Sequence, residues 1–198
     1  MIDFTLSKIN LLILVIALFS VISFFALNVG KIFLVGEVKQ ELDKYSSTLN
    51  TSVLAPTTCD SKPFAIPDKF ISFGNNVFYK MYISKTDDPL GTRLIFGVSD
   101  IRNPDSLLAA SSLATTAEVI LFDRLGENFV VLDEGEELVL DPQSVPPRNA
   151  FYGVKSVKQG KTFLYIIPCA ITPNGETCST NKLLVNEQLE LTGDSFVC

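Results

Sequence analysis

ALFSVISFFALNVGKIFLVGEVKQELDKY, residues 17–45, starts apolar on every side and ends charged on all sides but one, with no proline to interrupt it. It poses the question of whether one helix passes from lipid into water. No residue from Ile9 to Gly30 is charged, a run of 22. At about 1.5 Å per residue that run reaches roughly 33 Å, enough to cross a bilayer core. It exceeds the apolar region of a signal peptide, about 7–15 residues, and no small-x-small pair follows it. A buried core helix would show a polar face over such a length.

Past Gly30 the pattern changes. Val35, Val38, Leu42, Tyr45 and Leu49 recur at gaps of 3, 4, 3 and 4, which lines them along one stripe of a helix. Glu37, Lys39, Gln40, Glu41, Asp43 and Lys44 fill the other faces. Gly30 and Gly36 weaken the helix without stopping it, since an interior glycine costs about 1 kcal/mol where proline costs about 3. The spacing therefore predicts one rod from Leu6 to about Asn50. Its parts are a short N-terminal segment (1–8), an apolar span (9–30) and an amphipathic extension (31–50). The Ser/Thr-rich stretch around Pro56 makes 51–63 a linker to a domain over 64–198.

That domain carries the whole formal charge of −6, because four lysines balance four acids up to Asn50. An acidic domain excludes nucleic acid as a partner, since phosphates require a basic patch. The lysine count around the span, Lys8 against Lys31, Lys39 and Lys44, favours a cytoplasmic domain. The cysteines oppose it. Cys59, Cys169, Cys178 and Cys198 form an even set in a chain without histidine, and no C-x2-C pair starts a zinc site. Two disulfides are the simpler use, and they require an oxidising setting outside the cytoplasm. Four cysteines allow three connectivities. Local closure around the Pro173-Asn174-Gly175 turn favours Cys169 with Cys178, which leaves Cys59 with Cys198. Asn50-Thr51-Ser52 is a formal glycosylation acceptor.

In the domain the apolar period falls to two. FISFGNNVFYKMYIS (70–84) reads as two strands about a Gly74-Asn75-Asn76 turn, with Val77, Tyr79, Met81 and Ile83 on one face. Further strands are expected in TRLIFGVSD, AEVILFDR, NFVVLDE, ELVLD, FYGVKSVK, TFLYIIP and LLVNEQLEL, and a short helix in DSLLAASSLA (105–114). The fold class is α+β: a long N-terminal helix followed by an antiparallel β-sheet or β-sandwich head.

Without histidine the usual catalytic triads cannot be built, and no phosphate loop occurs. Carboxylates remain, at Asp87-Asp88 and in DEGEE (Asp133, Glu134, Gly135, Glu136, Glu137). Neither has the spacing of a calcium loop, and DEGEE reads as a solvated hairpin tip between NFVVL and LVL. No catalysis, cofactor or small-molecule substrate is expected. Within the span, Ser20 and Ser23 lie one turn apart, on the kind of small polar stripe by which helices associate in lipid. Phe78 and Tyr82 are candidates either for an exposed aromatic patch or for a second buried face of a sandwich.

From Phe4, FTLSKINLLILVIALF resembles the start of mature type IV pilins and pseudopilins, which begin Phe-Thr-Leu and continue as one uninterrupted helix. The resemblance covers about fifty residues by pattern. It implies a β-sheet head, a life first in lipid and then in a packed filament core, and no catalysis. Two positions differ from that family. Asp3 stands where a small residue precedes the cut, and Lys8 takes the place of the acidic fifth residue that meets a neighbour's amino terminus. Lys8 repels such an ammonium, whereas an uncut chain offers Asp3 to a neighbour's Lys8.

The first functional expectation is thus a pilin-like structural subunit. It contacts membrane lipid and self-associates through Asp3, Lys8, Ser20, Ser23, Val35, Val38, Leu42, Tyr45 and Leu49. The alternative is a single-pass membrane-anchored surface protein whose β domain binds a protein or glycan.

Overall fold

The computed structural model describes residues 2–72, 74–89, 91–125, 128–173 and 175–196, with the backbone alone at 2–7, 27 and 105. The helix α1 is continuous from Ile2–Leu54, 53 residues and about 80 Å long. It passes through Gly30 and Gly36 and ends just before Pro56, where no backbone N–H is left to continue it. The segment read as a linker holds the last helical turn and most of the first strand.

The strands in chain order are β1 Cys59–Ala65, β2 Phe70–Ser72, β3 Asn75–Val77, β4 Tyr79–Asp88, β5 Gly91–Asp100, β6 Asn103–Thr115, β7 Glu118–Leu125, β8 Asn128–Val131, β9 Glu137–Leu140, β10 Ala150–Lys158, β11 Lys161–Cys169, β12 Ile171–Thr172 and β13 Gly175–Glu176; α2 Cys178–Leu191 follows. The five-stranded sheet runs β1-β10-β11-β7-β8 and the four-stranded one β6-β5-β4-β9, while β2 with β3 and β12 with β13 form two-stranded ribbons. All pairings are antiparallel except β11 with β7.

Alternation along the strands sorts side chains between two cores. Met81, Ile83, Leu94, Phe96 and Leu138 of one sheet meet Val119, Leu121, Phe151, Leu164 and Ile166 of the other. The same core takes in Leu34, Val38, Leu42, Tyr45, Leu49 and Val53 of α1. The second core, with Tyr152, Val154, Tyr165 and Ile167, lies on the opposite face of the five-stranded sheet beneath α2 and Phe196. This double burial covers both faces of β10 and β11 over most of their length.

Two elements differ from expectation. DSLLAASSLA is not helical but the middle of β6, the strand against α1. Its small Ala and Ser side chains let the helix come close, and Ser111 Oγ donates to Asp43 Oδ1 at 2.6 Å. LLVNEQLEL is not a strand but part of α2, whose buried Cys178, Asn181 and Val185 fall at gaps of 3 and 4. Asn181 Nδ2 donates to the Pro168 carbonyl at 2.8 Å, and Gln188 Nε2 to Phe129 at 2.7 Å, so α2 also occupies backbone groups of the strands.

Three aromatic rings fix the helix to the head. Tyr45 meets Phe64 and Phe151 edge-on at 6.1 and 5.9 Å, while Phe64 and Phe151 stack at 4.7 Å. The Tyr45 hydroxyl donates to the Ala65 carbonyl at 2.9 Å, and burial pushes its pKa above the ordinary tyrosine value. Gly153 of β10 makes room for the side chains of Leu49 and Phe64. A Cβ there would lie 2.7 Å from Leu49 Cδ2 and 3.1 Å from Phe64 Cε2. At the far end of α1, the buried Lys155 of β10 donates to the Ala55 carbonyl, placing a cation against the negative end of the helix dipole.

Ser52 Oγ, in the last turn of α1, donates to Asp60 Oδ2 at 2.6 Å. This hydrogen bond holds the Asp60 carboxyl below the ordinary carboxylate range, assisted by the Lys62 ammonium and opposed by burial. Because the folded value lies below the unfolded one of about 3.9, the contribution is complete above that value and lost as pH falls through the folded value.

Two outcomes are expected for the full chain in detergent. Leu49→Ala should destabilise the head by about 2–5 kcal/mol in urea unfolding, as for a truncated core leucine. Ser52→Ala should flatten the loss of stability with acid below about pH 4, read as urea midpoint against pH.

Candidate assembly and membrane surface

The structure divides the residues expected to mediate assembly into two sets. Val38, Leu42, Tyr45 and Leu49 are only 0–4 % exposed and pack inside their own head. Their role as contacts between copies is therefore corrected: the sheets have already covered that stripe. Val35 sits half-buried at its edge, and Leu34 takes the core position instead. The stripe continues through Gly30 below and Val53 above, both buried. Spacings of four from Gly30 to Leu34 and Val38 were the signal that could have found its lower end.

The second set, Lys8, Ser20 and Ser23, lies below the head, where Leu11, Ile16, Leu18, Phe19, Phe24 and Phe25 are all exposed, on every side of the helix. The helix is long and apolar enough to cross a membrane by length and composition, a property that an anchor and a signal sequence share. Its polar groups are compatible with lipid. Ser20 Oγ donates to the Ile16 carbonyl at 2.8 Å and Asn28 Nδ2 to Phe24 at 2.9 Å, one turn back in each case. Ser23 and Lys8 are exposed. The Asp3 side chain lies outside the described residues, and with it the pairing of Asp3 to Lys8.

The head reaches further down α1 than the stripe predicted. The β2–β3 hairpin descends along the helix until Ser72 Oγ donates to the Gly30 carbonyl at 3.3 Å. A cleft of about 420 Å³ opens there, among Ala26, Gly30, Leu34, Asn75, Val77 and Leu108. The boundary between the bare apolar segment and the domain therefore falls near Gly30, inside the helix.

The other candidates are spread over the head. Cys169 and Cys178 form a disulfide with Cα atoms 4.8 Å apart, which closes the β12–β13 loop and ties β11 to α2. Cys59 is disulfide-bonded too, and Cys198 lies outside the described residues. Such bonds fit a domain outside the cytoplasm. Asn50 is exposed on α1, but the Ser52 hydroxyl of its acceptor triplet is committed to Asp60.

DEGEE is exposed but is not a hairpin tip. β8 pairs with β7 and β9 with β4, so the turn carries the chain from one sheet to the other. Gly135 supplies its positive φ of 87°, and the Asp133 N–H donates to Glu136 Oε2 at 2.9 Å. Among the described residues no three of His, Cys, Asp or Glu are grouped to hold a metal ion. Tyr82 is half-buried on the outer face of the four-stranded sheet, where Ser99 Oγ donates to its hydroxyl at 3.3 Å. That face is an open cleft of about 580 Å³, with Ile95, Pro104 and Leu107 beside Tyr82, rather than the second buried face of a sandwich. Phe78 is half-buried just before β4.

No family model, no curated protein and no solved structure matches this chain.

Proposed function

We propose that this chain is a structural subunit of a surface filament or envelope assembly, built like a pilin and packed against its copies through the first half of α1. One observation carries the reading: the same helix is bare and apolar all round below Gly30 and a structural member of the head above it. A rigid subunit with one apolar pole can rest in lipid as a monomer. It can leave lipid without exposing that pole only by packing it against other copies. On this reading the head lies outside the cytoplasm, in keeping with its disulfides. Its work is mechanical and requires no reaction.

A second reading, a membrane-anchored protein whose head binds a protein or glycan, draws support from the open cleft beside Tyr82. Cross-linking separates the two. With Leu18→Cys in cell-surface preparations treated with a mild oxidant, the subunit reading expects covalent dimers, and filaments carrying the head in negative stain. Monomers alone, without filaments, would leave only the anchored binder.

A further inference from the structure

We propose that the β2–β3 hairpin and the adjoining turn of α1 form a collar that sits in the headgroup region of a bilayer, so that the head rests on the membrane instead of standing off it. The inference rests on the membrane-held stage of the reading above and adds the depth and the contact surface.

Depth follows from chain geometry. The charge-free run ends at Gly30, and 22 residues span roughly the hydrocarbon thickness, so Lys8 and Lys31 mark its two faces. The hairpin touches α1 below Lys31: Ser72 bonds the Gly30 carbonyl, and Asn75 lines a cleft with Ala26. A group that bonds Gly30 and shares a cleft with Ala26 lies near the depth of those residues. The hairpin therefore enters the interface whenever the span does.

Composition agrees with that depth. FISFGNNVFY, residues 70–79, carries no charge, while Lys69 and Lys80 flank it. Ile71 is 60 % exposed and shares a groove with Phe33, itself 71 % exposed, and Ile32 beside it is 70 % exposed. Three large apolar side chains bare to water at one level make little sense for an aqueous surface and fit the boundary between headgroups and acyl chains. The surrounding charges balance: Lys31, Lys69, Lys80 and Arg102 stand against Glu37, Asp68, Asp100 and Asp141, the last paired with Lys80. The attraction is thus apolar, and a zwitterionic lipid suffices. Amide and hydroxyl groups at Ser72, Asn75 and Asn76 suit the hydrated interface better than hydrocarbon.

The chain has no tryptophan, so single reporters can be read without background. The full chain would be placed in phosphatidylcholine nanodiscs, with lipids brominated either near the carbonyl or deep in the acyl chain. Ile71→Trp should emit at shorter wavelength than in water and lose most of its intensity to the shallow bromines. Asn76→Trp, at an exposed position, provides a second reporter if the first variant does not fold. Leu191→Trp, at the far end of the head, should be unaffected by either lipid, and Phe19→Trp should be quenched by the deep bromines. Quenching at Phe19→Trp with none at Ile71→Trp or Asn76→Trp would overturn the collar while leaving the span intact. No quenching at Phe19→Trp would overturn the span, and the collar with it. Equal quenching of Ile71→Trp with and without anionic lipid is expected, and a requirement for anionic lipid would overturn the apolar attraction.

Discussion

The structure depends on one helix whose lower half is bare and apolar and whose upper half is part of a folded head, and the contact that fixes it there is the packing of Tyr45 against Phe64 and Phe151. An isolated amphipathic helix beyond a membrane span has little reason to stay straight, since its apolar stripe would seek any cover available. Here the cover is built into the same chain. β1 returns antiparallel to β10 beside the helix, and the stripe from Leu34 to Val53 becomes the edge of a sandwich core. Removal of water from that stripe stabilises the helix and the sheets together, so neither half of the core is complete alone.

This arrangement changes which surface is left uncovered. A stripe of alternating threes and fours past an apolar run invites the idea of a stalk ready to pair with other helices. Once the stripe is occupied, what remains uncovered is the uniformly apolar part below Gly30, together with the hairpin that flanks its upper end. The head is correspondingly rigid in its attachment. Ser46 and Asp43 bond to β6, Ser52 to Asp60, and Lys155 to the carbonyl just past the helix. A movement of the apolar pole must therefore carry the head with it.

Much of this was legible in the residues. The continuous helix, the period-two strands and the Cys169–Cys178 closure each followed from a local rule: the absence of proline, alternation, and a short turn-bearing loop. What was not legible depended on partners distant in sequence. The stripe containing Leu42 and Leu49 announces that something covers it, but not whether that is a second copy or the chain's own sheets. DSLLAASSLA has helical composition and becomes a strand because β5 and α1 surround it. LLVNEQLEL has the apolar density of a strand, yet its Val185 is buried at helical spacing from Asn181, and Leu189, four residues on, packs partly against the same core. The hairpin's descent to Gly30 left no trace except the lack of charge between Lys69 and Lys80.

The upper half of α1 thus belongs to the head core and the lower half does not. Native-state amide hydrogen exchange on the full chain in nanodiscs can separate the two halves, because amides that open only by global unfolding share one protection level. Amides of residues 38–53 are expected to exchange together with those of β10 and β11, with the same urea sensitivity. Exchange of residues 38–53 that is faster than, and independent of, β10 and β11 would mean a stalk standing apart from the sheets, and would contradict a shared core.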